Sequence, residues 1–244
     1  MQSLAGKRCI ITGGSRGIGL AIAQLFATEG ASCKLIGRVP ESLTSAVETL
    51  VRKDDTQQHD MAALDVCEVL EWQRLYERTC NENTDILVNA AGMPQNSFLF
   101  RAKPKHVDEL VATNLMSTVW GCKIFIPKMM KQKSGCIINV SSLMACHQGS
   151  GASIYAASKA GIIGLTRSLA WEVGRFGIRA NVLLPGYIQT DMTKGMNDNG
   201  ELSALIPMGR IGLVEEVADA ALFLAKNTYA HNCVLNLDGG LSGM

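Results

Sequence analysis

Tyr155 and Lys159 stand four residues apart in the chain. On a helix that spacing places a phenol and an ammonium on one face. A free phenol titrates near ~10, and a fixed positive charge beside it favours the phenolate and draws the pKa toward working pH. The pair is therefore a candidate proton donor and acceptor.

A second stretch, Thr12-Gly-Gly-Ser-Arg-Gly-Ile-Gly19, points to phosphate. It follows a short apolar run and opens a helical pattern, the setting in which a glycine loop carries weight. Gly13, Gly17 and Gly19 let the backbone turn tightly and approach a pyrophosphate, whose charge a helix N-terminus stabilises. Ser15, Arg16 and Ile18 belong to the same candidate contact set. The spacing is T-G-x-x-x-G-x-G rather than G-x-G-x-x-G. Further on, where an acid would accept from the adenosine ribose, Gly37 and Arg38 stand instead. With no carboxylate there and with Arg16 and Arg38 at hand, a 2′-phosphate is the better-matched ligand, so NADP(H) is expected over NAD(H).

Short apolar runs at Arg8 to Thr12, Ser32 to Ile36, Met61 to Leu64, Asp85 to Val88, Cys136 to Val140, Ile178 to Leu184 and Cys233 to Leu237 read as the strands that position these groups. Most lack polar alternation, as strands covered on both faces should. Helical stripes lie between them, at Ile18, Ile22, Leu25 and Phe26 and again at Val214, Val217, Ala218, Ala221, Leu222 and Leu224. Such alternation predicts an α/β fold with a parallel sheet. Open parallel sheets bind ligands at their strand ends. The residues there are Asp65 and Val66, Asn89, Ala90 and Gly92, Ser141 and Ser142, and Pro185 and Gly186 with Ile188 and Thr190 beyond. Breakers cluster from Gly186 to Gly200, which predicts a mobile loop at about 186–210.

Composition narrows the function classes. The 244 residues carry a formal net charge of +1, too little for a broad basic field, so nucleic acid is not an expected partner. No apolar run approaches the ~18 residues of a membrane span. The eight cysteines include no C-x-x-C pair and no metal-like spacing to histidine, and are read as reduced and mostly buried, with no metal site. The first strand starts so early that no signal or transit segment is expected. Met1 to Lys7 reads either as a native cytoplasmic end or as the stub of a processed one, fitting cytoplasm or mitochondrial matrix.

In order and spacing, Thr12 to Gly19, Asn89-Ala-Ala-Gly92, Asn114, Ser142, Tyr155-Ala-Ala-Ser-Lys159, Pro185-Gly186 and Asp238-Gly239-Gly240 resemble the motifs of the short-chain dehydrogenase/reductase family. The likeness runs from Thr12 to Gly240. It implies a single Rossmann-type domain with a doubly wound, seven-stranded parallel sheet, usually tetrameric, whose substrate pocket is built from the loop after the sixth strand. It also implies roles: Tyr155 as proton donor, Ser142 bonded to the same carbonyl oxygen, Lys159 holding the nicotinamide ribose and lowering the Tyr155 pKa, and Asn114 ordering a water chain.

Within the family, Ile137 to Ser142, Tyr155 to Gly161, Ala180 to Gly186 and Thr190 to Thr193 look like 3-oxoacyl-[acyl-carrier-protein] reductases and the related carbonyl reductase type 4 proteins. The substrate so implied is a 3-oxoacyl thioester on acyl carrier protein or CoA, with Lys128, Lys131, Lys133 and Arg175 as candidates to dock an acidic carrier. A quinone, steroid or small alcohol remains an alternative substrate, and a non-catalytic dinucleotide-binding subunit an alternative function. Two departures stand out: Ala230-His231-Asn232 replaces a Thr-Gly step, and Ala90 replaces the second asparagine of Asn-Asn-Ala-Gly.

Overall fold

In the computed structural model, which describes residues 3–95, 97–147, 149–196 and 200–243, strands and helices alternate along the chain. In order they are β1 (Arg8–Thr12), α1 (Gly17–Thr28), β2 (Ser32–Gly37), α2 (Pro40–Glu48), β3 (Asp60–Ala63), α3 (Val69–Arg78), β4 (Ile86–Asn89), α4 (Pro104–Val111), α5 (Ser117–Gln132), β5 (Gly135–Val140), α6 (Ser153–Val173), β6 (Ile178–Pro185), α7 (Glu201–Leu205), α8 (Val214–Lys226) and β7 (Val234–Leu237). The strands form one parallel sheet in the order β3-β2-β1-β4-β5-β6-β7. The order reverses between β1 and β4, which makes the ends of these two strands the switch point where such sheets open a ligand crevice.

Strand residues alternate between two apolar layers, as a period of two requires. Cys9 and Ile11, Val88 and Ile138 face a layer with α1 and α8, whereas Ile10, Leu87 and Ile137 face a layer with Trp72 of α3 and Phe125 of α5. Every residue of β4 and β5 is buried, so neither face shows polar alternation. On α1, Ile22 and Phe26 are fully buried, and on α8 Val217, Ala221 and Leu224 are. Both expected helical stripes therefore lie against the sheet.

Between β4 and β5 the chain forms α4, a π-helical turn at Ala112–Met116, and α5. Lys128, offered as a docking residue, is buried at 6% exposure, donates to the Thr79 carbonyl and lies over the Tyr76 ring, so it braces α3 against α5. Ala230-His231-Asn232 works inside the subunit: the His231 ring accepts from the Ala180 N–H and contacts the Ala170 carbonyl, and Asn232 takes the left-handed conformation at φ 59°. Within the segment expected as a loop, Ile188 forms a parallel bridge to Gly212 and α7 follows. Its breakers Asn197, Asp198 and Asn199 lie outside the described residues.

Candidate active site

The glycine loop joins β1 to α1 at the switch point. Gly13 takes φ +65°, and a Cβ on it would sit 2.8 Å from the Ala90 carbonyl oxygen; a Cβ on Gly19 would sit 2.3 Å from the Gly13 oxygen. The loop is thus packed main chain against main chain. Thr12 ties it to β4, its hydroxyl accepting from the N–H groups of Ala90 and Ala91 at 3.0 and 3.1 Å. The open N-terminus of α1 has no side-chain cap and no acid in its first turn, leaving N–H donors for an anion. Ser15 and Ile18 are half-buried along this loop, and Arg16 is exposed. Arg16 makes a 3.4 Å ion pair with Asp191, bringing the segment after β6 against the loop. Thr190 lies beside Gly17.

Arg38, just past β2, is exposed. Asp65, past β3, accepts from the Cys67 N–H at 2.9 Å, and Val66 is buried, its carbonyl bonded to the Trp72 indole. Asn89 is placed differently from a cofactor ligand. Its amide is buried and donates to Asn139 Oδ1 at 2.8 Å on β5, so only its main chain is available at the crevice. Among the described residues its own Oδ1 finds no hydrogen-bond partner. Pro185 and Ile188 are buried, and Gly186 backs onto Asp238 at the end of β7.

The proton-transfer groups converge where β5 ends and α6 begins. Ser142 follows β5; its hydroxyl accepts from the Met144 N–H at 3.2 Å, and it lies near enough to the Tyr155 phenol to lower its pKa. Lys159, one turn beyond Tyr155, is buried at 4% exposure; its Nζ donates to the Val140 carbonyl at 3.0 Å and lies 5.9 Å from the Tyr155 ring centroid. Ser141 donates to the Lys159 carbonyl at 2.7 Å. A Cβ on Gly92 would stand 3.4 Å from Asn114 Oδ1 and 3.5 Å from Lys159 Nζ, so the Asn89–Gly92 segment and the lysine share one wall. Asn114 sits in the π-helical turn and is fully buried. Its Oδ1 accepts from the Met93 N–H at 2.7 Å, and its Nδ2 donates to the Met93 carbonyl and to the Ser158 hydroxyl. A π turn offsets its side chain from the α-helical register, a device frequent at functional sites.

The electrostatics correct one sequence expectation. Burial pushes the Tyr155 phenol up, with Ser142 opposing it, and Lys159 does not pull it down. The reason is that burial also disfavours the lysine's charge, taking Lys159 from 10.5 to about 8. Below pH 8 the fold therefore holds a desolvated cation. Between pH 8 and 10.5 the unfolded chain binds a proton the native one has released, so this group's contribution to stability rises with pH. Burial raises the thiols of Cys9, Cys122 and Cys136, which act in the opposite direction at alkaline pH. The lysine's part is isolated by the urea stability of the wild type minus that of Lys159→Met. That difference should climb across this window by up to about 1.4 kcal/mol per pH unit, and a flat difference would contradict the assignment.

A model of the short chain dehydrogenase family matches residues 7–201. The chain belongs to the short-chain dehydrogenase/reductase family. It is an oxidoreductase of that family. A 3-oxoacyl-[acyl-carrier-protein] reductase of Chlamydia trachomatis is 40% identical, with 98% of each chain covered. Carbonyl reductase family member 4 of Xenopus tropicalis is 38% identical over 96% of this chain and 98% of its own. Among solved structures, a gluconate 5-dehydrogenase from Burkholderia cenocepacia in complex with NADP and tartrate superposes with a TM-score of 0.92 at 30% identity, covering 99% of this chain and 97% of that one.

Proposed function

We propose that this short-chain dehydrogenase/reductase uses NADPH to reduce a 3-oxoacyl thioester, on acyl carrier protein or CoA, to the 3-hydroxyacyl product in fatty acid synthesis. The observation that carries the reading is the convergence of Tyr155 and Ser142 on a buried lysine whose ammonium lies 5.9 Å from the Tyr155 ring, next to the Asn89–Gly92 segment. The near full-length likeness to a 3-oxoacyl-[acyl-carrier-protein] reductase supports the substrate class.

The residues present fit the dinucleotide. The main-chain packing of Gly13 and Gly19 leaves a cradle that only glycine keeps open, and α1 offers its uncapped N–H groups to a pyrophosphate. Arg38 is exposed where an acid would discriminate against a 2′-phosphate, and Arg16 is free to join it at the cost of an exposed ion pair that contributes little. When bound, NADPH supplies the hydride that reaches the carbonyl carbon. Tyr155 then gives its phenolic proton to the carbonyl oxygen, while Ser142 donates a hydrogen bond to that oxygen and stabilises the charge building there. Lys159 would hold the ribose hydroxyls, and with Asn114 it would return a proton from solvent to Tyr155. Neutral pH suits this direction, because the raised phenol stays in its acid form.

Carbonyl or quinone reduction is the second reading, favoured by the likeness to carbonyl reductase family member 4. One experiment separates the two and tests the coenzyme: kcat/KM for acetoacetyl-CoA and for 9,10-phenanthrenequinone, each with NADPH and with NADH. The proposal expects acetoacetyl-CoA with NADPH to lead. A preference for the quinone would favour the second reading, one for NADH would remove the role given to Arg38, and turnover of neither would favour a non-catalytic subunit.

Carrier docking is assigned to Lys131, Lys133 and Arg175, which are exposed near the N-terminal ends of β5 and β6. A homotetramer is proposed from the family likeness, and Trp171, 85% exposed on α6, is a side chain such an interface would cover. Light scattering that returns a monomer would oppose the tetramer.

A further inference from the structure

The helix that carries Tyr155 and Lys159 begins without a cap of its own. Its N-cap residue is Ala152, which has no side-chain acceptor, so the first N–H groups of α6 must find partners elsewhere. They find one in the chain segment beyond Gly92. Gln95 Oε1 accepts from the N–H of Ile154 at 2.8 Å and from that of Tyr155 itself at 3.0 Å. Its Nε2 donates to the Ser97 carbonyl at 2.7 Å. Two donors meet one end of the amide and a carbonyl meets the other, so only one orientation of the side chain satisfies all three bonds. Gln95 lies two residues beyond Met93, whose main chain is gripped by Asn114, and Asn114 in turn bonds Ser158 on the same turn of α6 as Lys159.

Resting on the reading of Tyr155 as proton donor, we propose that Gln95 is a positioning residue for catalysis: it caps α6 from the segment after β4 and thereby fixes the backbone of Tyr155 relative to Ser142 and the coenzyme cradle. Nothing in the motifs singles it out, and it touches neither substrate nor coenzyme in this role. Both ends of its amide are used, one on the helix and one on its own segment. Losing the acceptor frees the first turn of α6, the turn from which the phenol projects. A shift of that turn acts on turnover far more than on coenzyme binding, because the glycine cradle sits on β1 and α1.

The test uses the whole chain and two variants. Gln95→Met keeps the length and removes all three bonds; Gln95→Glu keeps the acceptor toward the helix and removes only the donor toward Ser97. Displacing a reacting group by about 1 Å costs up to ~10²-fold, so Gln95→Met should lose about ten- to a hundredfold in kcat with KM for NADPH changed by less than about twofold. Gln95→Glu should stay within about threefold of the wild type. Amide hydrogen exchange at Ile154 and Tyr155 should quicken in Gln95→Met and stay slow in Gln95→Glu. Wild-type turnover in Gln95→Met, or an equal loss in both variants with native melting behaviour, overturns the proposal. If Gln95→Met does not fold, Gln95→Glu decides: a natively melting Glu variant that has lost turnover or exchange protection overturns it. A wild type that reduces no carbonyl sinks the proposed function, while the exchange rates still judge Gln95.

Discussion

Replacing Tyr155 by phenylalanine should leave a folded protein that binds NADPH and turns over at least ~10²-fold more slowly, with ~10⁴-fold as the upper end of what acid catalysis supplies. The ring is retained, so packing around the half-buried side chain is unchanged and no cavity forms. What is removed is the proton donor that lies beside Ser142. The effect belongs in kcat, measured by NADPH oxidation against a ketone substrate under saturation, with the coenzyme Kd and the melting temperature as controls. Ser142→Ala should cost about 10²-fold, the scale of one lost donor to a developing oxyanion. Its loss should not add fully to that of Tyr155→Phe, since the two hydroxyls act on one oxygen. Near-full turnover in Tyr155→Phe would move the chemistry away from α6 altogether.

Much of the scaffold is legible in the residues because burial on both faces leaves a simple signature. β4 and β5 read as largely apolar runs without polar alternation, and they sit at the centre of the sheet with helices on either side. Strand ends were harder by a residue or so: β3 starts at Asp60 and β6 ends at Pro185, set by ladder hydrogen bonds that hydrophobicity does not report. The π turn at Ala112–Met116 was invisible for a related reason. Inserting one residue into a helix changes which way Asn114 points without changing the apolar stripe that a sequence shows.

Side-chain fate was the least legible level. Lys128 looks in the sequence like any surface cation on a helix, yet its stem runs between α3 and α5 and its ammonium is spent on a backbone carbonyl. Asn89 falls in a family motif at a strand end, but its side chain is on the inner side of the pleat and pairs with Asn139, its register partner on β5. The i, i+4 geometry of Tyr155 and Lys159 followed from spacing alone. The direction of the Tyr155 shift did not, because burial raises the phenol and at the same time lowers the ammonium expected to help it. Gln95 left a single trace, the lack of a capping residue where α6 begins.

A methyl group on Gly19 should have the second large effect, because it has nowhere to go. Its carbon would lie 2.3 Å from the Gly13 carbonyl oxygen, 2.8 Å from the Gly13 carbonyl carbon and 3.2 Å from the Thr12 oxygen. All three are backbone, so no side chain can swing aside. Gly13 cannot retreat either, since it holds φ +65° with the Ala90 main chain close behind it. The strain must open the turn between β1 and α1, and that opening dislocates the N–H groups that face a pyrophosphate. Gly19→Ala should therefore lose about 1–3 kcal/mol of stability to urea, the usual scale of overpacking. It should also weaken NADPH binding at least tenfold, since each ~1.4 kcal/mol lost at the cradle is one decade in Kd. Coenzyme titration followed by fluorescence checks this. A variant that keeps wild-type affinity would mean that the dinucleotide does not lie on this loop, and the positions of Arg38 and Thr190 would then lose their meaning as well.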